Sequence, residues 1–392
     1  MNIAIISGTF LPQINGVLSY VLDTATELAH RGHSVTVFAP APAKNTPYNT
    51  SGYPFSIELL PSIPAVVYPD LRITKPTLYQ FTKIFKERSI DIVHINEPYP
   101  IAIEAMIAAK LLKIPVVLTF HTFYLDKDFL KHFRFNTMIE FLKSPLTKLN
   151  INFHNYADLI ICPSLSGQKE LVSHGLTSPS VIIHNGINDA LVRKDRAKTR
   201  ENVRRRYGID ISSPVGMFVG RLSLEKSIDV LIRSWSIVTQ KNPAARLVII
   251  GYGPMEQSLR QLTKKMKLTS SIIFAGRVLR HELLTQGIYT MADVYVSASK
   301  IENQSMSMIE AMAYGLPIVA TNKRGVSELV DNTNGIPVSP GYRPLAKGIL
   351  ALFQDEKRRE QLSHASVLKS KRHLTSHTIG VLEHEYQQLI HR

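Results

Sequence analysis

The sequence predicts an α/β protein made of two doubly wound, Rossmann-like domains of similar size. Strand-like and helix-like segments alternate along the first half of the 392 residues, and the alternation starts again near residue 214. The strand-like segments are continuous apolar runs, as expected for parallel strands covered by helices on both faces. The chain is also long enough for two substantial cores.

The first series of elements opens with an apolar, β-branched run at 2–8. A helix is predicted at 16–32, where Val17, Tyr20, Val21 and Leu28 recur at helical spacing. Another helix is predicted at 102–112. The remaining strands of this series are predicted at 33–40, 90–96, 114–120, 157–164 and 180–186.

The second series repeats the pattern. Its strands are predicted at 214–220, 245–251, 271–276, 293–299 and 316–321, and its helices at 227–240, at 254–266 and from near Ser305. The polar, charge-dense stretch at 185–214 predicts the interdomain connection with a surface helix, and 376–392 is an amphipathic helix. We therefore expect one domain at 1–188 and the other at 189–375.

Composition restricts the class of protein. Lys and Arg number 46 against 31 Asp and Glu, a net charge of +15, which favours polyanionic partners: nucleic acid, an anionic membrane surface or phosphorylated small molecules. The alternative is a protein that is merely basic. One cysteine, Cys162, excludes an intramolecular disulfide framework and fits a cytoplasmic compartment. The N-terminus has no basic segment before its apolar run, so it reads as a strand and not as a signal peptide.

The loop after the first predicted strand reads GTFLPQINGVLSY and places Gly16 at a helix start. A glycine at a helix N-terminus lets backbone N–H groups approach an anion closely. The spacing is not that of a dinucleotide fingerprint. The alternative is an ordinary helix cap.

The second domain has a charged loop, GRLSLEKS, after its first strand. Arg221 and Lys226 stand there directly before a helix and suit a diphosphate. The alternative is a solvated salt-bridge face, because Glu225 lies between them. The GYGP turn at 251–254 is interpreted as structural.

Two carboxylates flank a helix start in SKIENQSMSMIEAMAYG. Glu302 follows a strand and Glu310 lies inside the next helix, about 12 Å away if the span is helical. Two carboxylates that hydrolyse one bond would be closer. The spacing suits two hydroxyl-bearing groups at opposite ends of a ligand, with a diphosphate meeting the helix N-terminus between them. A nucleotide sugar has that order.

The chain resembles the family-4 retaining glycosyltransferases of the GT-B fold over nearly its whole length. The resemblance rests on the Glu302 and Glu310 spacing, on GRLSLEK, on FLPQINGV, on TFHT at 119–122, on HNGI at 184–187 and on EAMAYGLPIVAT. It implies two domains facing across a cleft, with the C-terminal helix crossing back to the first domain.

The resemblance also implies roles. Glu302 would hold hydroxyls of the donor hexose and Glu310 those of the ribose. Arg221 and Lys226 would neutralise the leaving diphosphate. Gly16 would reach the same phosphates, and His121 would lie near the sugar and the acceptor.

Three positions depart from the family pattern. Asn15 stands where a first glycine is usual, Ser227 stands where a glycine follows the lysine, and Ser305 replaces a glycine near the phosphates.

The segment 120–153 is the basis for predicting the acceptor. It resembles the corresponding stretch of diacylglycerol glucosyltransferases and their relatives, among them the phosphatidylinositol mannosyltransferases. Aromatic and basic side chains are interleaved in it, as at an anionic membrane interface. The residues expected there are Phe123, Tyr124, Lys127, Lys131 and Arg134. The alternative is a core-facing aromatic stripe with a solvated basic face.

We therefore expect a metal-independent hexosyltransferase that moves a hexose from a nucleoside-diphosphate sugar to a lipid, diacylglycerol or a similar alcohol, at the inner face of the cytoplasmic membrane. No cofactor is expected, and the D-x-D at Asp126 and Asp128 is too short a pattern to indicate a metal. The basic run at 193–208 lacks aromatic interleaving, so nucleic acid is not expected. Two alternatives stay open: a soluble sugar or polysaccharide acceptor, and a catalytically silent nucleotide-binding relative.

Overall fold

The computed structural model describes residues 1–11, 13, 15–43, 50–64, 72–75, 78–123, 136–188 and 197–392. The predictions made for Tyr124, Lys127, Lys131, Arg134 and the D-x-D pair therefore lie outside the described residues. The chain forms two compact units. The first consists of Met1–Gly186 and Thr375–Arg392, and the second of Ile187–Leu374.

The first unit is built on a seven-stranded, fully parallel sheet. Its strand order is β3-β2-β1-β6-β7-β8-β9. Its strands are β1 Asn2–Ile6, β2 Ser34–Pro40, β3 Ser56–Leu60, β6 Ile92–Ile95, β7 Val116–Thr119, β8 Leu159–Cys162 and β9 Ser180–Ile182. A separate antiparallel pair is formed by β4 Ser62–Pro64 and β5 Arg72–Thr74. The inner strands are buried along their length, which is why they read as continuous apolar runs.

Helices cover this sheet. They are α1 Gly16–His30, α2 Leu78–Glu87, α3 Pro100–Leu111, α4 Asn136–Asn155 and α5 Leu165–Ser173, with the C-terminal helix, Thr375–Ile390, which we number α14.

The C-terminal helix belongs to the first unit and confirms the predicted return of the chain. Glu383 accepts from Arg31 at 3.2 Å and lies 2.8 Å from His33, both beside the end of α1. Tyr386 is fully buried, and its hydroxyl lies 2.5 Å from Nδ1 of His94 on β6. The last helix is thus part of the first unit's core.

The second unit is built on a six-stranded parallel sheet of order β12-β11-β10-β13-β14-β15. The strands are β10 Val215–Val219, β11 Arg246–Ile250, β12 Ile272–Gly276, β13 Val294–Ser297, β14 Ile318–Thr321 and β15 Gly335–Val338. Its helices are α6 Ala197–Arg206, α7 Ile228–Lys241, α8 Glu256–Lys265, α9 Arg280–Thr285, α10 Met306–Ala313, α11 Val326–Leu329, α12 Tyr342–Gln354 and α13 Glu356–Ser370. The prediction of two doubly wound domains is confirmed.

Strand order decides where a ligand site forms in each unit. The order reverses direction beside β1 in the first sheet and beside β10 in the second. In open α/β sheets, ligands bind beyond the carboxyl ends of the strands at such a reversal. The loops that follow β1 and β6, and those that follow β10 and β13, are therefore the candidates for a ligand site in each unit.

The GYGP turn has a structural role, as the sequence indicated. Gly251 has φ +141°, and a Cβ there would lie 1.9 Å from the carbonyl oxygen of Gly220. A Cβ on the next glycine, Gly253, would lie 2.5 Å from the carbonyl oxygen of Leu222. These glycines let the loop after β11 lie directly against the loop after β10, which carries Arg221 and Lys226.

No helix within the described ranges is long and apolar enough to span a bilayer.

Candidate active site

The second unit brings Lys226 and Glu302 together from loops 76 positions apart in the sequence. Lys226 ends a short 3-10 turn, Leu224–Lys226, after β10, and Glu302 lies in the loop after β13. The Lys226 ammonium donates to Oε1 of Glu302 at 2.6 Å. The exposed fractions of the two side chains are 22% and 11%. The predicted cation and the first predicted carboxylate thus form one ion pair at the strand reversal.

Charge in this pair is stabilised by proximity. Burial lowers the pKa of Lys226, but the carboxylates of Glu302 and Glu225 raise it by more, so its net pKa lies above the ordinary value. The ammonium therefore stays protonated at neutral pH. A second link holds the two loops together, because the Ser299 hydroxyl donates to the Glu225 carbonyl at 3.1 Å. Arg221, half-buried, belongs to the same loop as Lys226.

The two serines that replace family glycines differ in their backbone. Ser227 has φ 49° and ψ 42°, in the left-handed region that glycine adopts at little cost. Ser305 has φ −76° and ψ 115°, which any residue adopts. Ser227 therefore has a cost in backbone free energy that a glycine would not have, whereas the backbone at Ser305 does not require a glycine.

Glu310 is buried, with 3% of its side chain exposed, and its two oxygens accept from protein groups. Arg280 at the start of α9 donates to Oε1 at 2.5 Å, and the Tyr289 hydroxyl donates to Oε2 at 2.6 Å. No local sequence pattern marks either partner. A carboxylate has about four acceptor positions, so Glu310 could accept further hydrogen bonds. The ribose contact of Glu310 stays a prediction.

Only Met306–Ala313 of the segment between the two acids is helical, so Glu302 lies in the loop before the helix. Ser305 is the N-cap residue of α10 but makes no side-chain cap bond. Its hydroxyl lies 3.2 Å from that of Ser307, which in turn lies 2.7 Å from the Tyr295 hydroxyl. The first N–H groups of α10 have no partner within the helix and give this loop a positive end.

In the first unit, α1 begins at Gly16 as predicted, and Gly16 is exposed. Asn15 is the N-cap residue, and its Oδ1 accepts from the Leu18 amide at 2.8 Å. Asn15 stands where the family usually has a glycine, and its side chain therefore caps one N–H group of the first turn of α1. The Asn15 amide nitrogen also donates to the Thr9 hydroxyl at 3.3 Å.

A buried carboxylate that the sequence analysis missed lies beside this loop. Glu97 follows β6 and has 2% exposure. It accepts from the Gly8 amide at 2.7 Å and from the Thr9 hydroxyl at 2.9 Å. Burial raises the pKa of Glu97 to about 7, although these hydrogen bonds lower it. In the sequence, Glu97 is recognisable as an acid in INEPYP, directly after a predicted strand. That strand, β6, is the neighbour of β1, beside which the strand order reverses.

His121, predicted near the sugar and acceptor, lies after β7 with its ring edge against Tyr20, 4.7 Å between centroids. Its Nε2 is 3.1 Å from Oδ1 of Asn96. The Asn96 amide nitrogen donates to the Ile6 carbonyl, so Oδ1 faces the imidazole and Nε2 carries the hydrogen. Burial, then nearby His94, lowers the pKa of His121 to about 3. The ring is neutral at pH 7, with Nδ1 as an acceptor.

Phe123 corrects one expectation. Its ring is 2% exposed and lies 5.7 Å from that of Phe120, edge to face. Phe123 is thus a core residue in the first unit and does not lie on a surface that faces a membrane. The remaining side chains expected at that interface lie outside the described residues. Within the described part of the chain, no three His, Cys, Asp or Glu side chains gather as a metal site would require.

Two protein-family models match the chain. Residues 14–191 match the model of Glycosyltransferase Family 4, and residues 199–367 match that of Glycosyl transferases group 1. The chain therefore has the two domains of a glycosyltransferase of the GT-B fold, a Family 4 domain followed by a group 1 domain. Each family model falls almost entirely within one of the two compact units.

Similar proteins include two curated enzymes and one solved structure. The alpha-monoglucosyldiacylglycerol synthase of Streptococcus pneumoniae is 26% identical over 89% of this chain and 78% of its own. The synthase of the same name from Acholeplasma laidlawii is 29% identical, over 86% of this chain and 84% of its own. The crystal structure of Anabaena HepE in complex with UDP superposes with TM-score 0.79 and 20% identity, covering 99% of this chain and 100% of that one.

The left-handed backbone at position 227 generates a stability prediction. Ser227→Gly is expected to stabilise the second unit by up to about 1 kcal/mol, because it removes the left-handed penalty. Ser227 makes no side-chain cap bond that would be lost. Ser305→Gly is the matched control and is expected to destabilise by about 0.5–1 kcal/mol, since it adds freedom to the unfolded chain and removes the hydroxyl contact with Ser307. Thermal unfolding of both variants is the measurement, and equal shifts would contradict the difference in backbone.

Glu97 generates a prediction about pH. Its folded pKa of about 7 lies above the ordinary 4.5, so the folded state binds the proton more tightly. The contribution of this group to stability is therefore full below pH 4.5 and is lost as pH rises toward 7, by at most about 3 kcal/mol. Glu97→Gln has no such loss and should gain stability relative to the parent between pH 5 and pH 8.

Urea unfolding of both proteins across that range measures the effect. The difference between the two isolates Glu97, because His94 and His121 have pKa values lowered to about 3 and make stability fall below pH 6.5 in both proteins. A difference that does not change with pH would show that Glu97 ionises as freely as in the unfolded chain.

Proposed function

We propose that this glycosyltransferase moves a hexose from a nucleoside-diphosphate sugar to a lipid acceptor, with retention of configuration and without a metal. The observation that carries the proposal is the Lys226–Glu302 ion pair at the strand reversal of the second sheet. A half-buried cation and a carboxylate beside a helix N-terminus match the diphosphate and hydroxyl groups of such a donor. HepE, whose fold is shared, was crystallised with UDP.

Each donor group is proposed to meet one part of the second unit's site. Lys226 and Arg221 would bind the diphosphate, together with the N–H groups at the start of α10, where Ser305 is the N-cap residue. Glu302 would accept from hydroxyls of the hexose, and Glu310 from those of the ribose. Lys226 would then be held by Glu302 before the donor arrives, which spares it the entropy of being ordered on binding.

The first unit is proposed to supply the acceptor contacts and a further anion contact. The N-terminus of α1 at Gly16 would approach the donor phosphates. The neutral Nδ1 of His121 would accept from a substrate hydroxyl near the reacting carbon. Asn96 is well placed to hold the imidazole in that tautomer.

The chemical step is proposed to need no dedicated protein base. The bond between the anomeric carbon and the phosphate oxygen breaks, and the bond from the acceptor oxygen forms on the same face. The acceptor's proton passes to the leaving phosphate. Positioning and stabilisation of the developing charge by Arg221 and Lys226 would supply most of the rate enhancement.

A lipid acceptor is supported by the relatives and by a surface feature. Two similar enzymes are named as synthases of alpha-monoglucosyldiacylglycerol. On α3 of the first unit, Ile103, Ile107 and Leu111 are 47%, 43% and 67% exposed. Their spacing of four places them on one helix face, and apolar side chains on a basic protein suit a membrane interface. We propose peripheral attachment to the inner face of the cytoplasmic membrane.

The donor site is tested by turnover. Glu302→Gln, Arg221→Ala and Lys226→Ala are each expected to lower kcat/KM about a hundredfold, since each removes a group that stabilises donor charge or position. Lys369→Ala is the matched control: this lysine also forms an ion pair, with Asp331 at 2.8 Å, but before the amino end of β15.

Activity is measured with UDP- and GDP-hexoses against lipid extract and soluble sugars, with products resolved by mass. Near-normal turnover in all three variants would reject this site. Products on soluble sugars alone would replace the lipid acceptor, and nucleotide binding without any product would favour a catalytically silent relative.

Membrane attachment is tested by co-sedimentation with vesicles of increasing anionic lipid content. Lys127, Lys131 and Arg134 changed together to Glu should abolish binding, because each basic residue contributes about 1 kcal/mol at such a surface. High salt should weaken binding by the parent chain. The control carries the same charge change in the second unit, at the exposed Lys264, Lys265 and Lys267. Binding that is independent of anionic lipid, with unchanged lipid glycosylation in the first triple variant, would contradict the proposal.

A further inference from the structure

We propose that Glu97 is a positioning residue for the glycosyl transfer: it fixes Gly8 and Thr9 after β1 and, through the contact of Thr9 with Asn15, the helix start at Gly16. This inference rests on the proposed function, which assigns Gly16 to the donor phosphates. Glu97 itself would touch neither donor nor acceptor.

The first observation is that the loop after β1 surrounds the Glu97 carboxylate with donors. Oε2 accepts from the Gly8 amide at 2.7 Å and lies 3.3 Å from the Ser7 hydroxyl, while Oε1 accepts from the Thr9 hydroxyl at 2.9 Å. The backbone of Thr9 also bonds to the carboxylate. Successive N–H groups after the first strand form the kind of concavity that binds anions in other proteins. Here a carboxylate of the same unit fills it.

The second observation is a relay from Glu97 to the helix start. Thr9 donates to Glu97 and accepts from the Asn15 amide nitrogen at 3.3 Å. Asn15 in turn caps α1 through the Leu18 amide. Three hydrogen bonds therefore connect a buried carboxylate after β6 to the N-terminus of α1. Any change at Glu97 alters the position of the glycine through this relay.

Gly8 is also held in place by close packing against a side chain. A Cβ at Gly8 would lie 1.9 Å from Cδ2 of Tyr99, whose own amide donates to the Glu97 carbonyl at 2.9 Å. The segment around Glu97 thus holds Gly8 both through its carboxylate and through the ring of Tyr99. On the same segment, Asn96 holds His121. The end of β6 therefore supports both predicted functional groups of the first unit.

Glu97 differs from the carboxylates at the other end of the strands. Asp91, just before β6, accepts from the Asn2 amide at 2.7 Å, and Asp158 does the same for Val116 at 2.7 Å. Those contacts join strands at the amino edge, far from any ligand loop. Glu97 is more buried than either and lies at the carboxyl edge. Its ionised form costs stability, as expected of a group that serves function and not folding.

The test compares Glu97→Gln with Asp91→Asn, which removes the charge from a carboxylate on the same strand's opposite end. At pH 8, Glu97→Gln is expected to be at least as stable as the parent, yet to lower kcat/KM for the donor about tenfold to a hundredfold. The change should appear as a higher donor KM and a lower kcat, with acceptor KM unchanged. Asp91→Asn should lose some stability and leave both constants near those of the parent.

Thr9→Val is the second variant: it keeps residue 97 as Glu, removes one of the hydrogen bonds to its carboxylate and breaks the relay, so it should shift the donor constants in the same direction. If Glu97→Gln does not fold, Thr9→Val decides the question alone. Parent-like donor constants in the folded variants would overturn the positioning role and leave the proposed function intact. If the parent chain transfers no hexose from any UDP- or GDP-sugar, the proposed function fails and this inference fails with it.

Discussion

The ion pair between Lys226 and Glu302 is the contact on which the second unit's candidate site depends. The two residues meet only because β10 and β13 are neighbours in a parallel sheet and both strands end at the same edge. Gly251 and Gly253 let the loop after β11 lie against the loop that carries Lys226. The Ser299 hydroxyl donates to the Glu225 carbonyl and so joins the Lys226 loop to the segment that carries Glu302. The charge at the site is thus held in place by the backbone that surrounds it.

Carboxylates have different roles at the two edges of these sheets. At the amino edge, Asp91, Asp158 and Asp293 each accept a backbone amide of a neighbouring strand at 2.7 Å. At the carboxyl edge, Glu97 and Glu302 face loops that carry the predicted functional groups. Glu97, buried beneath its loop, carries a desolvation cost that the partly exposed Asp91 and Asp158 do not.

Much of the fold was predictable because its inner strands are buried on both faces and therefore read as unbroken apolar runs. The edges were harder. Ser56–Leu60 is the edge strand of the described sheet and is only partly buried, and Gly335–Val338 contains Gly335 and Pro337, so neither shows such a run. The prediction that a helix begins near Ser305 agrees with the helix Met306–Ala313. The distance of about 12 Å between Glu302 and Glu310 depended on a mostly helical span, whereas Glu302 lies in the loop before this helix.

The candidate site was predictable where charge stood directly after a strand, as at Arg221, Lys226 and Glu302. It was not predictable where function depends on a partner from elsewhere in the chain. Arg280 and Tyr289 reach Glu310 from a different helix and a different turn, and no local pattern marks them. Glu97 was visible as an acid after a strand, but its role depends on Gly8 and Thr9, whose contact with it appears only in the fold.

The proposed site binds the donor's diphosphate through Lys226, at the carboxyl edge of the second unit's sheet. Calorimetric titration of UDP and of GDP into the parent, Lys226→Met and Lys369→Met tests this binding without requiring the acceptor. We expect one nucleotide to bind the parent, Lys226→Met to weaken this binding about tenfold or more, and Lys369→Met to bind like the parent. Equal affinity in all three proteins, or no binding of either nucleotide to the parent, would contradict it.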